Sequence, residues 1–475
     1  MKAQLITSLG EIRPDGSPLE LKEVPRSCPT NGQVRLKIIA CGVCHTELDE
    51  IEGRTSPPEL PVIPGHQVVG TIEKFGPGID SALQKQLKNQ PVGVGWIYSA
   101  CGQCRFCQEG RENLCPDFTA TGRDRDGGYA EYMLVPVNYA IPLPPDLDPV
   151  QASPLLCAGS IGYRSLMLAL KPNRGNPKRR LDKNKPLYSD SSRSSNSNIN
   201  RKNNSNNHCN NHCNTNGNKN STNYNNNNNN NRNNKNPKTS SPGQQSKQNS
   251  TPNDNACSGI EHSNQQEEPF IPAGQQDKHP ISNISSTTGT CQLNEIPPLE
   301  TLGLTGFGAS GHLVLQLVKA FHPSTRVYVF ARRQSTRDFA FSLGADWAGP
   351  TSARAPEPCQ SIIDTTPAWL PVREALANLA PGGRLVINAI RKEAGDKDAL
   401  QDLNYARHLW LEKEIKSVAN VTRQDIRGIL NAASKINLQP TLTEYSLEEA
   451  GQALKDIKFS RGRGAKVLKI STNNK

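Results

Sequence analysis

The chain has 475 residues and a formal net charge of +11, a length that predicts two or three cores rather than one. Residues 173–298 hold 15 Lys and Arg against 8 Asp and Glu, so +7 of that charge sits there and +4 is left for the rest. A near-neutral remainder excludes a charge-driven nucleic-acid or membrane surface, and with no secretory leader and no apolar run of about 18 residues the chain reads as cytoplasmic.

From Met1 to about Tyr139, short β-branched runs such as "QVRLKIIA", "HQVVGTIEKFG" and "AEYMLVPVNYAIPL" are bounded by Gly, Pro or Asn. They predict strands of an antiparallel, barrel-like domain. From Pro154, "LLCAGSIGYRSLMLALK" places apolar residues three and four apart, which predicts a helix. The chain then turns polar, with 24 asparagines in the 41 positions from Asn196 to Asn236. Such a segment cannot bury enough apolar surface to offset chain entropy, so residues 173–298 are expected to be a disordered Asn/Ser-rich insert. The "HCNNHC" run at His208–Cys213 falls inside it and reads as chance spacing.

Beyond the insert, "LGLTGFGASGHLVLQLVKAF" is a strand, a glycine turn and an amphipathic helix, and "RVYVFAR", "SIIDTT" and "RLVINAI" follow as buried strands between helical stretches. Alternating β and α predicts a parallel, doubly wound sheet. The end of the chain, "IRGILNAASKIN", "EYSLEEAGQALKDIK" and "RGAKVLKI", reads helix, helix, strand.

Two cysteine and histidine patterns carry chemistry. Cys101, Cys104, Cys107 and Cys115 are spaced C-x2-C-x2-C-x7-C. Four thiolates close a tetrahedral zinc shell, with an iron–sulfur cluster as the alternative, and neither leaves a vacancy for substrate. A catalytic ion needs three ligands and one open position, for which Cys44, His66 and Cys157 are the scattered candidates. In "GFGASG", Gly306, Gly308 and Gly311 form G-x-G-x-x-G between a strand and a helix, which suits a dinucleotide pyrophosphate lying at Ala309 and Ser310. The next strand ends in Ala331, Arg332 and Arg333 instead of an acidic residue, which favours the 2′-phosphate of NADP(H) over NAD(H).

Taken in order, "GVCHTELD", "PGHQVVG", "CGQCRFCQEGRENLC", "DGGYAEY", "PLLCAG" and "GFGASGHL" resemble the zinc-dependent medium-chain alcohol dehydrogenases, in particular the cinnamyl-alcohol-dehydrogenase-like branch. The resemblance covers everything outside the insert. It implies an α/β chain with a GroES-like catalytic domain at 1–158 and 424–475 and a Rossmann domain at 159–172 and 299–423. It also implies two zinc ions per chain, a catalytic one on Cys44, His66 and Cys157 and a structural one on the four clustered cysteines. Thr46 matches the hydroxyl that passes the substrate proton outward, and Trp96 an aromatic that narrows the substrate pocket. Three positions depart from the family pattern: Gln67 replaces an acidic residue, Glu47 an aspartate, and Asp49 a relay histidine at the end of the proton path. The expected reaction is hydride transfer between NADP(H), or NAD(H), and a small alcohol or aldehyde, in a homodimer or homotetramer. The alternatives are a zinc-independent quinone or enoyl reductase and a non-catalytic cofactor-binding protein.

Overall fold

The computed structural model describes residues 1–170, 293, 297–459 and 462–471. All but Leu293, Pro297 and Pro298 of the expected insert, including His208–Cys213, lie outside the described residues.

The first part is mostly strand. A hairpin-like pair, β1 (Lys2–Leu5) and β2 (Glu20–Glu23), precedes the long β3 (Gln33–Val43), and the short helix α1 (His45–Ile51) follows it at once. Then come β4 (Gln67–Phe75), α2 (Ser81–Leu87), β5 (Pro91–Val94), β6 (Ile97–Ser99), α3 (Arg105–Gln108), β7 (Thr119–Ala120), β8 (Tyr132–Pro136), β9 (Ile141–Pro142) and α4 (Pro149–Ala152). The predicted helix from Pro154 starts later than the periodicity suggests. Ser153–Leu156, containing Pro154, form a 3-10 turn, and α5 runs from Ala158 to Leu170. Cys157 lies between the two.

The second part alternates strand and helix: β10 (Thr301–Thr305), α6 (Ala309–Phe321), β11 (Arg326–Phe330), α7 (Gln334–Ser342), β12 (Trp347–Gly349), β13 (Cys359–Asp364), α8 (Leu370–Asn378), β14 (Leu379–Ile387) and β15 (Glu414–Ser417). All six strands run parallel in the order β12-β11-β10-β13-β14-β15. Strand order therefore reverses beside β10, and such a switch point opens a crevice at the carboxyl ends of the strands. Every residue of β10 is buried, as expected of a central parallel strand covered on both faces.

After α9 (Arg423–Ile436) the chain returns to the first sheet through β16 (Leu442–Tyr445), α10 (Ala450–Lys458) and β17 (Ala465–Lys469). β17 pairs with β3, so the sheet reads β16-β17-β3-β4-β5-β9, with β8 also on β3. Here the reading of "EYSLEEAGQALKDIK" as one helix is corrected. Its first two residues, Glu444 and Tyr445, belong with Leu442 and Thr443 to a strand that pairing with β17 creates. Among the described residues no ladder joins β16 to β9, so the predicted barrel is not closed by hydrogen bonds.

Separate apolar clusters back the two sheets, one including Leu36, Ile38, Val68 and Tyr129, the other including Leu302, Leu304, Val314 and Ile429. At about 1.5–3 kcal/mol for each fully buried aliphatic side chain, these clusters dominate the favourable side of folding. Among the described residues no helix is long and apolar enough to cross a membrane.

Candidate active site

Cys44, His66 and Cys157 come from three separate places in the chain and meet at one point. Cys44 is the N-cap of α1, extended at φ −138° and ψ −175°, and its Sγ accepts the Thr46 N–H at 3.3 Å. The Cys44 N–H donates to Oε2 of Glu47 at 2.9 Å, completing a reciprocal cap. His66 follows Gly65, which stands at φ +100° and where a Cβ would come 2.3 Å from the Tyr129 ring; only glycine fits that corner. The three donor atoms lie within 4.8 Å of one another, with Cys44 Sγ 3.7 Å from His66 Nε2. Donors at zinc bond lengths and a tetrahedral angle stand roughly 3.6 Å apart, so two thiols and an imidazole fit a borderline-soft dication with a fourth position open.

Glu47 supports this set from behind. Its Oε1 lies 2.7 Å from Nδ1 of His66, and both side chains are buried. Burial opposes a charge on His66, yet Glu47 and Cys44 prevail and hold its pKa well above the usual range. Burial also works against the Glu47 charge, and His66 keeps that carboxyl below its usual range. The Nδ1 proton therefore faces Glu47, and Nε2 is aimed at Cys44. Trp96 stands edge-on to the same imidazole, with centroids 5.1 Å apart at 87°. Gln67 is buried at the start of β4, its side chain against Gly42, where a Cβ would come within 2.9 Å of it.

Thr46 and Asp49 share α1 with Cys44. Thr46 is 8% exposed. Asp49 is not open to solvent: Oδ1 accepts from Arg54 Nε at 2.6 Å and from Arg391 Nε at 3.0 Å. Glu50, one turn beyond Thr46, is fully buried, and neither of its oxygens has a hydrogen-bond partner among the described residues. Burial, then the nearby Glu47 charge, pushes its carboxyl well above the usual range.

The other cysteines form a separate cluster. Sγ of Cys101, Cys104, Cys107 and Cys115 all lie within 4.8 Å of one another, with Cys101 to Cys107 at 3.9 Å and Cys115 to Cys101 at 3.5 Å. Four sulfurs at those separations suit one tetrahedral ion. The loop they close is tied to a distant part of the chain: Glu112 Oε1 accepts from Arg423 N at 2.9 Å, and Asn113 Nδ2 donates to Ala419 O at 2.5 Å.

The glycine turn follows β10 at the switch point. Gly306 adopts φ +79°, and Gly311 packs so that a Cβ would meet Gly306 O at 3.0 Å, which keeps α6 close to the strand. Gly308 is the N-cap of α6, and a Cβ there would meet nothing within 4 Å. That open space lies directly before Ala309 and Ser310, the first residues of the helix, whose N–H groups are suited to phosphate oxygens. Arg332 and Arg333 are exposed just past the end of β11, and Arg337 holds that corner by donating to the carbonyls of Ala331 and Arg332 at 2.7 and 2.8 Å.

Residues 30–145 match the family model described as alcohol dehydrogenase GroES-like domain. Over 96% of this chain and 94% of the relative, the sequence is 28% identical to a probable alcohol dehydrogenase, AdhA, of Mycobacterium tuberculosis. Similarity to an alcohol dehydrogenase thus runs along nearly the whole chain, and the GroES-like match falls on its first part. Its relatives are named alcohol dehydrogenases, and its glycine turn follows a central strand of the six-stranded parallel sheet. Against an alcohol dehydrogenase of Geobacillus stearothermophilus the identity rises to 44%, but that match spans 32% of this chain and 44% of the relative. In fold the chain is similar to CAD from Helicobacter pylori complexed with NADP(H), with a TM-score of 0.62, 15% identity, and coverage of 98% of this chain and 97% of the other.

Family motifs point to neither Glu50 nor Arg391. The spacing of Glu47 and Glu50, three apart on a short helix, was the available signal for the first. For Arg391 there was none, since its partner lies 342 positions away.

Proposed function

We propose that this chain is a medium-chain alcohol dehydrogenase that interconverts a small alcohol and its aldehyde or ketone on zinc, with NADP(H) as the hydride carrier. The observation that carries the reading is the convergence of Cys44, His66 and Cys157 on one point, on α1 beside Thr46, in a chain that also has the open glycine turn at Gly308. Bound there, zinc supplies Lewis acidity to the substrate oxygen and the nicotinamide supplies or accepts the hydride. The protein's own part is positional. Glu47 keeps the His66 proton on Nδ1, the Thr46 N–H favours the Cys44 thiolate, and the Trp96 edge walls the space beside the imidazole. In this reading the Thr46 hydroxyl takes the substrate proton, and Asp49 lies one turn further along the same helix. The second cluster, Cys101, Cys104, Cys107 and Cys115, takes a structural zinc, giving two ions per chain.

The exposed Arg332 and Arg333, with no carboxylate at the end of β11, support NADP(H) over NAD(H). An aldehyde panel assayed with both reduced cofactors is expected to give kcat/KM at least about tenfold higher with NADPH, equivalent to one 2′-phosphate contact of roughly 1.4 kcal/mol. Replacing both arginines by Ser is expected to remove that preference. Equal or better use of NADH by the unaltered protein overturns the cofactor assignment, and no turnover of any aldehyde with zinc bound overturns the reaction.

The same reading includes a homo-oligomer with a second copy of this chain as the partner. β15 is an edge strand, and Ile415 on it is 50% exposed beside Trp410 at 53%, Leu411 at 50% and Tyr405 at 63%. An apolar patch next to an unpaired edge is costly in a monomer, and a second copy presents the same self-complementary edge. Light scattering is expected to return twice the chain mass or a multiple, and Ile415→Lys to halve it. A monomer at micromolar concentration excludes the assembly.

A further inference from the structure

Two halves of an active site built on separate sheets must be held at a fixed angle before hydride can pass between them, because a misplacement of about 1 Å can cost on the order of a hundredfold in rate. The chain crosses between its two sheets at Cys157 and again through α9. Away from those crossings, a four-residue segment after β14 joins the halves directly. At one end, Asn388 Nδ2 reaches Ser310 Oγ of the glycine turn at 3.4 Å, and Asn388 N donates to Asp364 O at 2.9 Å. At the other, Arg391 Nε donates to Asp49 Oδ1 at 3.0 Å, on the helix that bears Cys44 and Thr46.

Both anchors are stiff. On the cofactor side, Lys392 Nζ bonds Asp364 Oδ2 and donates to the carbonyls of Thr366 and Ala368 at 2.7 and 3.1 Å. The Glu393 N–H donates to Pro367 O at 2.7 Å, and the Asp396 carboxylate receives the N–H groups of Trp369 and Leu370. On the α1 side, the Asp49 carbonyl accepts from Arg54 N and Thr55 N at 2.8 and 3.0 Å, and its carboxylate is already held by Arg54 Nε. The Asp49 side chain is 5% exposed and that of Arg391 28%, so the bond between them is a charge-assisted one at the edge of the buried region.

We propose that Arg391 is a positioning residue for hydride transfer, acting through its ion pair with Asp49 to fix the glycine turn relative to the helix that carries Thr46 and Cys44. The inference rests on the dehydrogenase reading above. It gives Asp49 a task other than carrying a proton. An aspartate held by two guanidinium groups at once is a good anchor.

The test is a double-mutant cycle of Arg391→Gln, Asp49→Asn and the pair, on zinc-loaded protein with NADPH and an aldehyde that the unaltered chain reduces. Each single substitution is expected to lower kcat by about 10- to 100-fold, with the KM for NADPH changed less than about threefold, and the double to be no worse than the poorer single. With NADPH deuterated at the transferred position, the isotope effect on kcat should rise in all three as the hydride step becomes limiting. Arg391→Lys, which keeps the charge, should recover part of the loss. A mere packing role would shift the unfolding midpoint and leave the isotope effect alone. The proposal is overturned if the two single losses multiply, as a proton relay at Asp49 requires, or if Arg391→Gln stays within twofold of the unaltered chain. An unaltered chain without turnover instead removes the dehydrogenase reading itself.

Discussion

Cys157→Ser is expected to lower kcat by about a thousandfold or more and to reduce the zinc content from two ions per chain to one. The loss corresponds to about 4 kcal/mol of transition-state stabilisation, the scale of a missing Lewis acid. A serine hydroxyl is a shorter, harder and far weaker acid than a thiol, so it cannot replace the thiolate beside Cys44 Sγ and His66 Nε2. The fold should survive, because Cys157 lies between the 3-10 turn and α5 and is only half-buried. Zinc counted by atomic emission and a kcat measured at saturating NADPH check the result together. Retained turnover with one ion per chain removes Cys157 from the reaction.

Cys115→Ser should act in the opposite way, on stability first. Structural zinc in four-thiolate sites contributes folding energy outright, and a loss of a few kcal/mol in a chain this size lowers the unfolding midpoint by on the order of 10 °C. The effect should not stay in the loop. Glu112, between Cys107 and Cys115, bonds the first residue of α9, and Ile426 of α9 in turn fills the space beside Gly95, where a Cβ would come 2.7 Å from it. Gly95 precedes Trp96, and Asp425 of α9 pairs with Arg164 of α5 at 2.8 Å. Loosening the four-cysteine loop therefore loosens the helix packed against both the Trp96 wall and the element following Cys157. Calorimetry of the variant, with the metal identified in the unaltered protein, checks this; a midpoint moved by less than about 2 °C, or iron in place of zinc, contradicts it.

Most of the parallel sheet was legible because its signals are local: β10, the glycine turn and α6 occupy consecutive residues, and each carries its own periodicity. The metal-site candidates were legible in a different way, since residue type and order within a resemblance replaced geometry. What the sequence concealed is set by distance along the chain. Leu442–Tyr445 became a strand through pairing with β17, a contact invisible to any short window. Glu50 carries no signal of its own in the sequence, and only the structure shows α1 buried along six of its seven positions. Asp49 read as a substitution for a proton carrier, and only its two arginine partners reveal that its charge is already spoken for.

The direction of the parallel strands has one more consequence. Leu170 and Pro297, on either side of the asparagine-rich stretch, line one cavity of about 310 Å³ with Gln360, Ser361 and Arg384, ahead of β10, near the start of β13 and beside it on β14. The glycine turn, Asp364 and Arg391 all belong to the finishing ends of those strands. The described chain thus breaks off and resumes at one pole of the sheet, and the candidate active site lies at the other.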